Sequence, residues 1–164
     1  MIDTGEENFT FRAMRRAAKS LPEETCLGIL ERGQRGVLSV LGDGGYPYGL
    51  PINYVFKDGK IYFHGALVGH KMDAISRCDK ASFCVIDTPV KKNGNWWYTT
   101  QSVICFGRIR KVEDKSVSHE ALLSLARKFF PSEDIVQKEM LSEAGAAILC
   151  FEIEHMTGKW VHEK

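Results

Sequence analysis

Residues 60–74, KIYFHGALVGHKMDA, are predicted to form a strand, a glycine loop and the start of a helix. A strand is predicted over 60–64, because its aromatic and β-branched residues follow Asp58-Gly59, a dipeptide that favours a tight hairpin turn. The segment 65–69 is predicted as a short loop, and apolar residues at helical spacing follow it. This order predicts a sheet strand that leads directly into a glycine-started helix.

The start of that helix, Gly69-His70-Lys71, has the features of an anion site. The free backbone N–H groups and the partial positive charge of a helix start attract anions. Glycine lets a ligand approach the backbone closely, and the lysine adds a full positive charge. Two interpretations stay open: this segment holds a phosphate, or it begins a surface helix with a solvated lysine.

The rest of the chain predicts a mostly β domain. Strands are predicted over residues 35–41, 46–56, 60–64, 80–87, 96–112 and 146–155, and helices over about 20–33, 70–78, 115–130 and 132–140. Six antiparallel strands joined largely by hairpins, with few helices between them, favour a barrel or sandwich over a doubly wound α/β fold. Residues 1–19 are expected to form an N-terminal arm and residues 20–164 a single domain.

Three local signals refine this pattern. The sequence Ser20-x-x-Glu23 is a capping box that predicts the first helix. Pro47 and Pro51 cannot donate ladder hydrogen bonds, so their strand is expected at a sheet edge or bulge, with backbone groups left for a ligand. Gly107 is the expected bend in the long strand 96–112.

Composition narrows the functional classes. The 22 basic and 21 acidic residues leave a formal charge of +1, so no broad basic field points to nucleic acid. No apolar run could span a bilayer and the first residues lack a signal-peptide core, so a soluble cytoplasmic protein is expected. The five cysteines are widely spaced and form no CxxC pair, which predicts neither a disulfide framework nor a metal site.

No catalytic motif is apparent, since GxSxG, Walker and GxGxxG patterns are all absent. His64 ends the strand before the loop, so it is expected to face whatever the loop encloses, although a packing role is the alternative. Ser102 lies in a polar strand segment that could supply a hydroxyl to a phosphate or simply face solvent. Four large aromatic residues fit either the core or an interface: Trp96, Trp97, Tyr98 and Trp160.

The segment 36–75 resembles the nitroimidazole-resistance (Nim) branch of the pyridoxamine-phosphate-oxidase-like, flavin-binding split barrels. The resemblance is carried by three motifs: PINY at 51–54, FHGA at 63–66 followed by GHK at 69–71, and SVI at 102–104 with Gly107. It extends in order from about residue 15 to residue 112. The family resemblance implies a six-stranded antiparallel split barrel.

The resemblance also implies a cofactor site. By this resemblance, the isoalloxazine would lie along the backbone of Ile52, Asn53 and Tyr54. The flavin and its ribityl chain would be flanked by Phe63 and His64. The phosphate would be held by His70, Lys71 and Ser102. FMN is the implied cofactor, with FAD as the alternative. The flavin would lie at the subunit interface of a homodimer, where Trp96, Trp97 or Trp160 could reach the partner's flavin.

Two departures argue against vitamin B6 oxidation. The C-terminal segment 157–161, TGKWV, lacks the arginine of the family oxidases, and His70-Lys71 replaces their Arg-Lys pair. The resemblance therefore implies a flavin-dependent reductase of small electron-poor or nitroaromatic molecules, with His64 as the candidate catalytic residue. The electron donor stays open, with NADH or NADPH as the candidates. The alternatives are a non-catalytic flavin-binding protein for storage or sensing, an oxidase of the pyridoxamine phosphate type, and a split barrel that binds haem or a partner protein.

Overall fold

The computed structural model describes residues 9–142 and 146–164, so the first eight residues of the predicted arm lie outside the described residues. The helices are α1 (Glu23–Arg32), α2 (His70–Arg77), α3 (Lys115–Phe129) and α4 (Glu133–Ser142). The strands are β1 (Arg35–Leu41), β2 (Pro47–Asn53), β3 (Val55–Lys57), β4 (Lys60–Ala66), β5 (Lys80–Ile86), β6 (Tyr98–Lys111) and β7 (Ala146–Glu163).

The strands form one antiparallel sheet in the order β2-β1-β5-β6-β7-β4-β3. The sheet curls so that its two end strands, β2 and β3, follow each other directly in the chain. This arrangement confirms the predicted mostly β, split-barrel class. The strand number is seven rather than six, because the predicted strand 46–56 is two strands at opposite edges of the sheet.

Tyr54 separates those two strands. Its side chain is fully buried and its ring packs edge-on against Phe83, with 4.9 Å between the centroids. The hydroxyl donates to the carbonyl oxygen of Leu30 at 2.8 Å, and the backbone N–H donates to the carbonyl oxygen of Gln34 at 3.3 Å. Because both ends of Tyr54 are fixed, β2 ends at this residue, and the chain continues as β3 at the opposite edge of the sheet.

The main core fills the interior of the curled sheet. Its fully buried members include Leu38, Phe63, Phe83, Val103 and Phe151, with Ile29 and Leu30 contributed by α1. A second, smaller cluster is formed by Tyr62, Ala121, Leu125 and Ile148. This second cluster holds α3 against the sheet over β3, β4 and β7.

The predicted bend in the long strand is confirmed at Gly107. The register between β6 and β7 shifts between Phe106 and Gly107. A methyl group at Gly107 would collide with the carbonyl oxygen of Glu152 on β7, so only glycine fits this approach. β7 is longer than predicted, because the C-terminal residues continue to pair with β6 as far as Glu163.

The predicted capping box does not form. α1 begins at Glu23 with Pro22 at its N-cap position, and the Ser20 hydroxyl instead donates to the carbonyl oxygen of Ala17 at 2.6 Å. α3 has a side-chain cap, since Asp114 accepts hydrogen bonds from the backbone N–H groups of Ser116 and Val117. Within the described ranges, no helix is both long and apolar enough to cross a membrane.

Candidate functional site

One edge of β2 is open. β2 pairs with β1 on one side, and among residues 9–142 and 146–164 no strand pairs with its other side. Backbone hydrogen bonds flank the β1–β2 ladder at both ends. The N–H of Tyr54 donates to the carbonyl oxygen of Gln34 at one end, and the N–H of Gly42 donates to the carbonyl oxygen of Tyr46 at the other. Hydrogen-bonded and non-bonded pairs alternate between these two points, so the backbone groups of residues 47, 49, 51 and 53 face the open edge.

Both prolines of β2 fall on these outward positions, as their missing N–H groups require. The prediction of an edge strand is therefore confirmed. At the end of the strand, the carbonyl of Pro51 and the N–H of Asn53 are adjacent and face away from β1. An acceptor and a donor thus stand side by side on an edge that no other strand covers.

A cavity of about 540 Å³ opens beside this end of β2. Its sheet side is formed by Arg35, Pro51, Ile52, Asn53 and His64. Its helical side is formed by Leu122, Leu125, Ala126 and Phe129 of α3, by Phe130, and by Glu139 and Met140 of α4. The volume lies within the range typical of small-molecule sites, and a mostly apolar wall faces a few polar groups.

Arg35 and Asn53 form the polar corner of the cavity. They oppose each other in a non-bonded pair of the β1–β2 ladder, where side chains lie closest. Arg35 Nε donates to Asn53 Oδ1 at 2.9 Å, which fixes the orientation of the guanidinium. His64 completes the sheet side from β4, where its side chain is exposed while its neighbour Phe63 is fully buried.

The glycine-started helix forms as predicted. Gly69 has φ = 120°, a conformation that other residues rarely adopt, and α2 begins at His70. No side chain caps its first turn. The His70 ring stacks on Tyr48 with 4.2 Å between centroids, and its Nε2 lies 3.4 Å from the backbone N–H nitrogen of Asp43. His70 is therefore engaged by the turn between β1 and β2.

Lys71 is half-buried, and its ammonium lies against Gly65. No hydrogen-bond or ion-pair partner of Lys71 is found within residues 9–142 and 146–164. Burial lowers the pKa of Lys71, because the charged form loses hydration without gaining a carboxylate. Since successive strand residues point to opposite faces, the ammonium at Gly65 lies on the other side of β4 from His64.

The remaining predicted site residues lie elsewhere within one chain. The side chains of Tyr54 and Phe63 belong to the core, so only their backbone can face a ligand outside the barrel. Ser102 lies far from Lys71 along the sheet. Leu149 of β7 pairs with both Phe63 and Lys111, and Ser102 precedes Lys111 by nine residues, roughly 30 Å of strand.

The structure thus brings Ile52, Asn53 and His64 to one cavity, places the Lys71 ammonium on the other side of β4, and leaves Ser102 apart. Sequence reasoning missed Arg35 and the helical wall. The pairing of Arg35 with Asn53 depends on the β1–β2 register. That register could have been read from the Asp43-Gly44-Gly45 turn by counting outward along both strands. A helix over residues 115–130 was predicted, but not the strands that it covers.

Comparisons with known proteins identify the family and the fold. Residues 22–160 match the family model described as "Pyridoxamine 5'-phosphate oxidase". No curated protein sequence matches the chain. The structure is similar to that of a protein from Bacteroides thetaiotaomicron described as a candidate 5-nitroimidazole antibiotic resistance protein. The TM-score is 0.71 at 19% identity, over 95% of this chain and 93% of that one.

Two further solved structures share the fold. An FAD-binding protein from Mesorhizobium loti has a TM-score of 0.62 at 21% identity, over 87% of this chain and 97% of that one. An FAD and heme binding protein from Mycobacterium smegmatis has a TM-score of 0.69 at 17% identity, over 89% and 74%. At these identities the structural likeness establishes the fold, while the family model covers most of the sequence. The chain belongs to the pyridoxamine 5'-phosphate oxidase family, as its sequence motifs predicted.

Proposed function

We propose that this protein binds a flavin, FMN or FAD, in the cavity beside β2 and uses it to reduce small electron-poor molecules. One observation carries the proposal: Pro51 and Asn53 present an acceptor and a donor on an uncovered strand edge that borders the cavity. The pyrimidine end of an isoalloxazine carries carbonyl oxygens on either side of an N–H. It can therefore accept from the Asn53 N–H and donate to the Pro51 carbonyl.

The residues present fit such a cofactor. The Asn53 side chain is held by Arg35, so it does not compete for the backbone groups beside it. Apolar side chains of α3 and α4 supply the opposite wall and exclude water from one face of a planar ring. When bound, the flavin supplies the electron chemistry, and the protein contributes position and access.

The flavin phosphate is assigned to Lys71 and the first turn of α2. The ammonium has no described partner, so moving it from Gly65 toward a phosphate breaks no ion pair. A phosphate would also offset the effect of desolvation on the Lys71 pKa, because it supplies a counter-charge. His70 then serves mainly to fix the helix start, through its stacking on Tyr48.

A homodimer is part of the proposal. Ser102 lies too far along β6 to meet Lys71 within one chain, so a site that uses both needs two copies. Val37, Cys84 and Ile104 form a row across β1, β5 and β6, with Val37 42% and Ile104 39% exposed. Phe106, 40% exposed, extends this outer apolar surface along β6. Such a surface suits a second copy of the same chain.

His64 is proposed to contact the reacting end of the ligand, since it is the imidazole on the sheet side of the cavity. It can hold or donate a proton to an acceptor molecule there. NADH or NADPH is the proposed electron donor. A flavin-binding protein without catalysis would share the same cofactor contacts, so turnover distinguishes it from a reductase.

The first test is the visible spectrum of the purified full chain, with the mass of the molecule that heat releases. We expect a flavin spectrum and a dimer by light scattering. A colourless protein that fails to take up micromolar FMN and FAD would refute the flavin site. The second test adds NADH or NADPH without oxygen, and then a nitroaromatic acceptor. Flavin that stays oxidised with both donors would refute the reductase and leave the binding function.

A further inference from the structure

Arg35 differs from the other arginines of the described helices and strands. Arg32, Arg77, Arg108, Arg110 and Arg127 each form an ion pair with a carboxylate. Within residues 9–142 and 146–164, Arg35 has only the neutral Asn53 amide as partner, and that bond uses Nε. Its two terminal nitrogens, with four N–H donors, stay available to a ligand in the cavity that Arg35 lines.

Arg35 is exposed, and it lines a cavity whose opposite wall is mostly apolar. Across the cavity stand Leu122, Leu125, Phe129, Phe130 and Met140. Glu139 of α4 also lines the cavity and places a carboxylate on the helical wall. A ligand that fills this space therefore meets an apolar wall and one cation that the sheet holds in place. An anionic group on that ligand is favoured on the sheet side, beside Arg35.

We propose that Arg35 is the substrate-anchoring residue of this cavity, and that the substrate is a planar, mostly apolar molecule with one carboxylate or similar anionic group. A guanidinium binds a carboxylate through two parallel N–H donors, and partial exclusion of water strengthens that contact. Asn53 acts as a positioning residue, because its amide oxygen keeps the guanidinium turned toward the cavity. The inference rests on the proposed function, since it names the substrate class of the same site.

The test compares two ligands of the same shape, 4-nitrobenzoate and 4-nitrobenzamide, by calorimetric titration of the full chain after its flavin content is measured. We expect wild type to bind the carboxylate at least about tenfold more tightly than the amide, the factor expected of a charge-assisted pair. Arg35→Gln should abolish the preference. Arg35→Lys should retain part of it, because the charge stays while the paired donors are lost. Asn53→Ala should weaken it, because the guanidinium loses its orientation.

Arg110→Gln is the matched control. It removes another exposed arginine, and Asp79 keeps its second partner, Arg108. The preference should persist in this variant. Equal binding of the two ligands by wild type, or no binding of either, would overturn the inference, as would an unchanged preference in Arg35→Gln.

The two proposals can fail separately. If wild type holds flavin but shows no preference, the inference fails and the proposed function stands. If wild type holds no flavin yet prefers the carboxylate through Arg35, the cavity anchors an anion and the proposed function fails. If Arg35→Gln loses flavin together with the preference, Arg35 serves the cofactor and the inference is refuted.

Discussion

Replacement of Lys71 by methionine separates the cost of the lysine to the fold from its contribution to cofactor binding. Methionine keeps the unbranched chain and removes only the ammonium, which is half-buried against Gly65 without a described partner. In the free protein this charge is unfavourable, because burial lowers its pKa. We therefore expect Lys71→Met to unfold at the same or a higher denaturant concentration than wild type.

The pH dependence of that difference has a defined sign. The folded-state pKa of Lys71 lies below its usual value of 10.5, so the penalty is fully present below the folded pKa. It disappears as the pH rises toward 10.5 and the unfolded chain also loses its proton. The stability advantage of Lys71→Met should shrink over the same interval.

Cofactor binding should change in the opposite direction. A charge-assisted contact to a phosphate contributes about 1.5–3 kcal/mol to binding. Its loss in Lys71→Met should therefore raise the Kd for FMN by about 10- to 150-fold. Riboflavin lacks the phosphate, so its Kd should not change. Lys80→Met removes an exposed lysine at the start of β5 and serves as the charge control.

The assay is fluorescence titration of the flavin-free protein with FMN and with riboflavin, for wild type and both variants. The reasoning fails if Lys71→Met leaves the FMN affinity unchanged, since the phosphate would then lie elsewhere. It also fails if both ligands weaken equally, because that result indicates a disturbed ring site.

Four further expectations follow from local geometry. His64→Ala should retain bound flavin but slow reduction of a nitroaromatic acceptor, and unchanged stopped-flow rates would remove His64 from the reaction. Gly65→Ala crowds the resting position of the Lys71 ammonium, so FMN affinity should hold or increase slightly; a loss would mean that the resting position is the binding position. Gly107→Ala should lower the free energy of unfolding, measured with urea, by about 1–3 kcal/mol, because the added methyl group meets the Glu152 carbonyl. Gly49→Ala adds a methyl group that makes only ordinary contacts, so this variant serves as the control. Hydrogen bonds from Arg127 and Gln137 lower the pKa of Glu133 to about 2. The contribution of Glu133 to folding stability is therefore present above its usual pKa of 4.5 and disappears as the pH falls toward 2. The melting temperatures of wild type and Glu133→Gln should converge over that interval.

Local signals predicted those parts of the fold that local physics determines. Pro47 and Pro51 indicated an edge strand, because a missing N–H constrains the ladder wherever the strand lies. Gly107 indicated the bend for a similar reason, since a close backbone approach excludes any side chain. Gly69 marked the start of α2 through a backbone conformation that glycine adopts readily.

Other features depend on contacts distant in sequence. In the sequence, Tyr54 has the features of an ordinary strand residue. Its hydrogen bonds to the carbonyl oxygens of Leu30 and Gln34 hold it between two strands where one was predicted. Ser20 satisfies a capping pattern, yet the helix begins at Glu23 with Pro22 at its N-cap position. The separation of Ser102 from Lys71 follows from the pairing of β4, β6 and β7, and a single chain read in order does not reveal such pairing.

The open edge of β2 has a consequence for how the protein avoids aggregation. An uncovered strand edge is normally a template on which another chain can extend the sheet. Here two of the four outward positions of β2 are prolines, so only Gly49 and Asn53 offer N–H donors to an additional strand. An incoming strand would find its hydrogen bonds interrupted at every second site, whereas a small planar molecule needs only the last donor and the carbonyl beside it. The same edge can therefore accept a ligand while resisting the growth of a fibril.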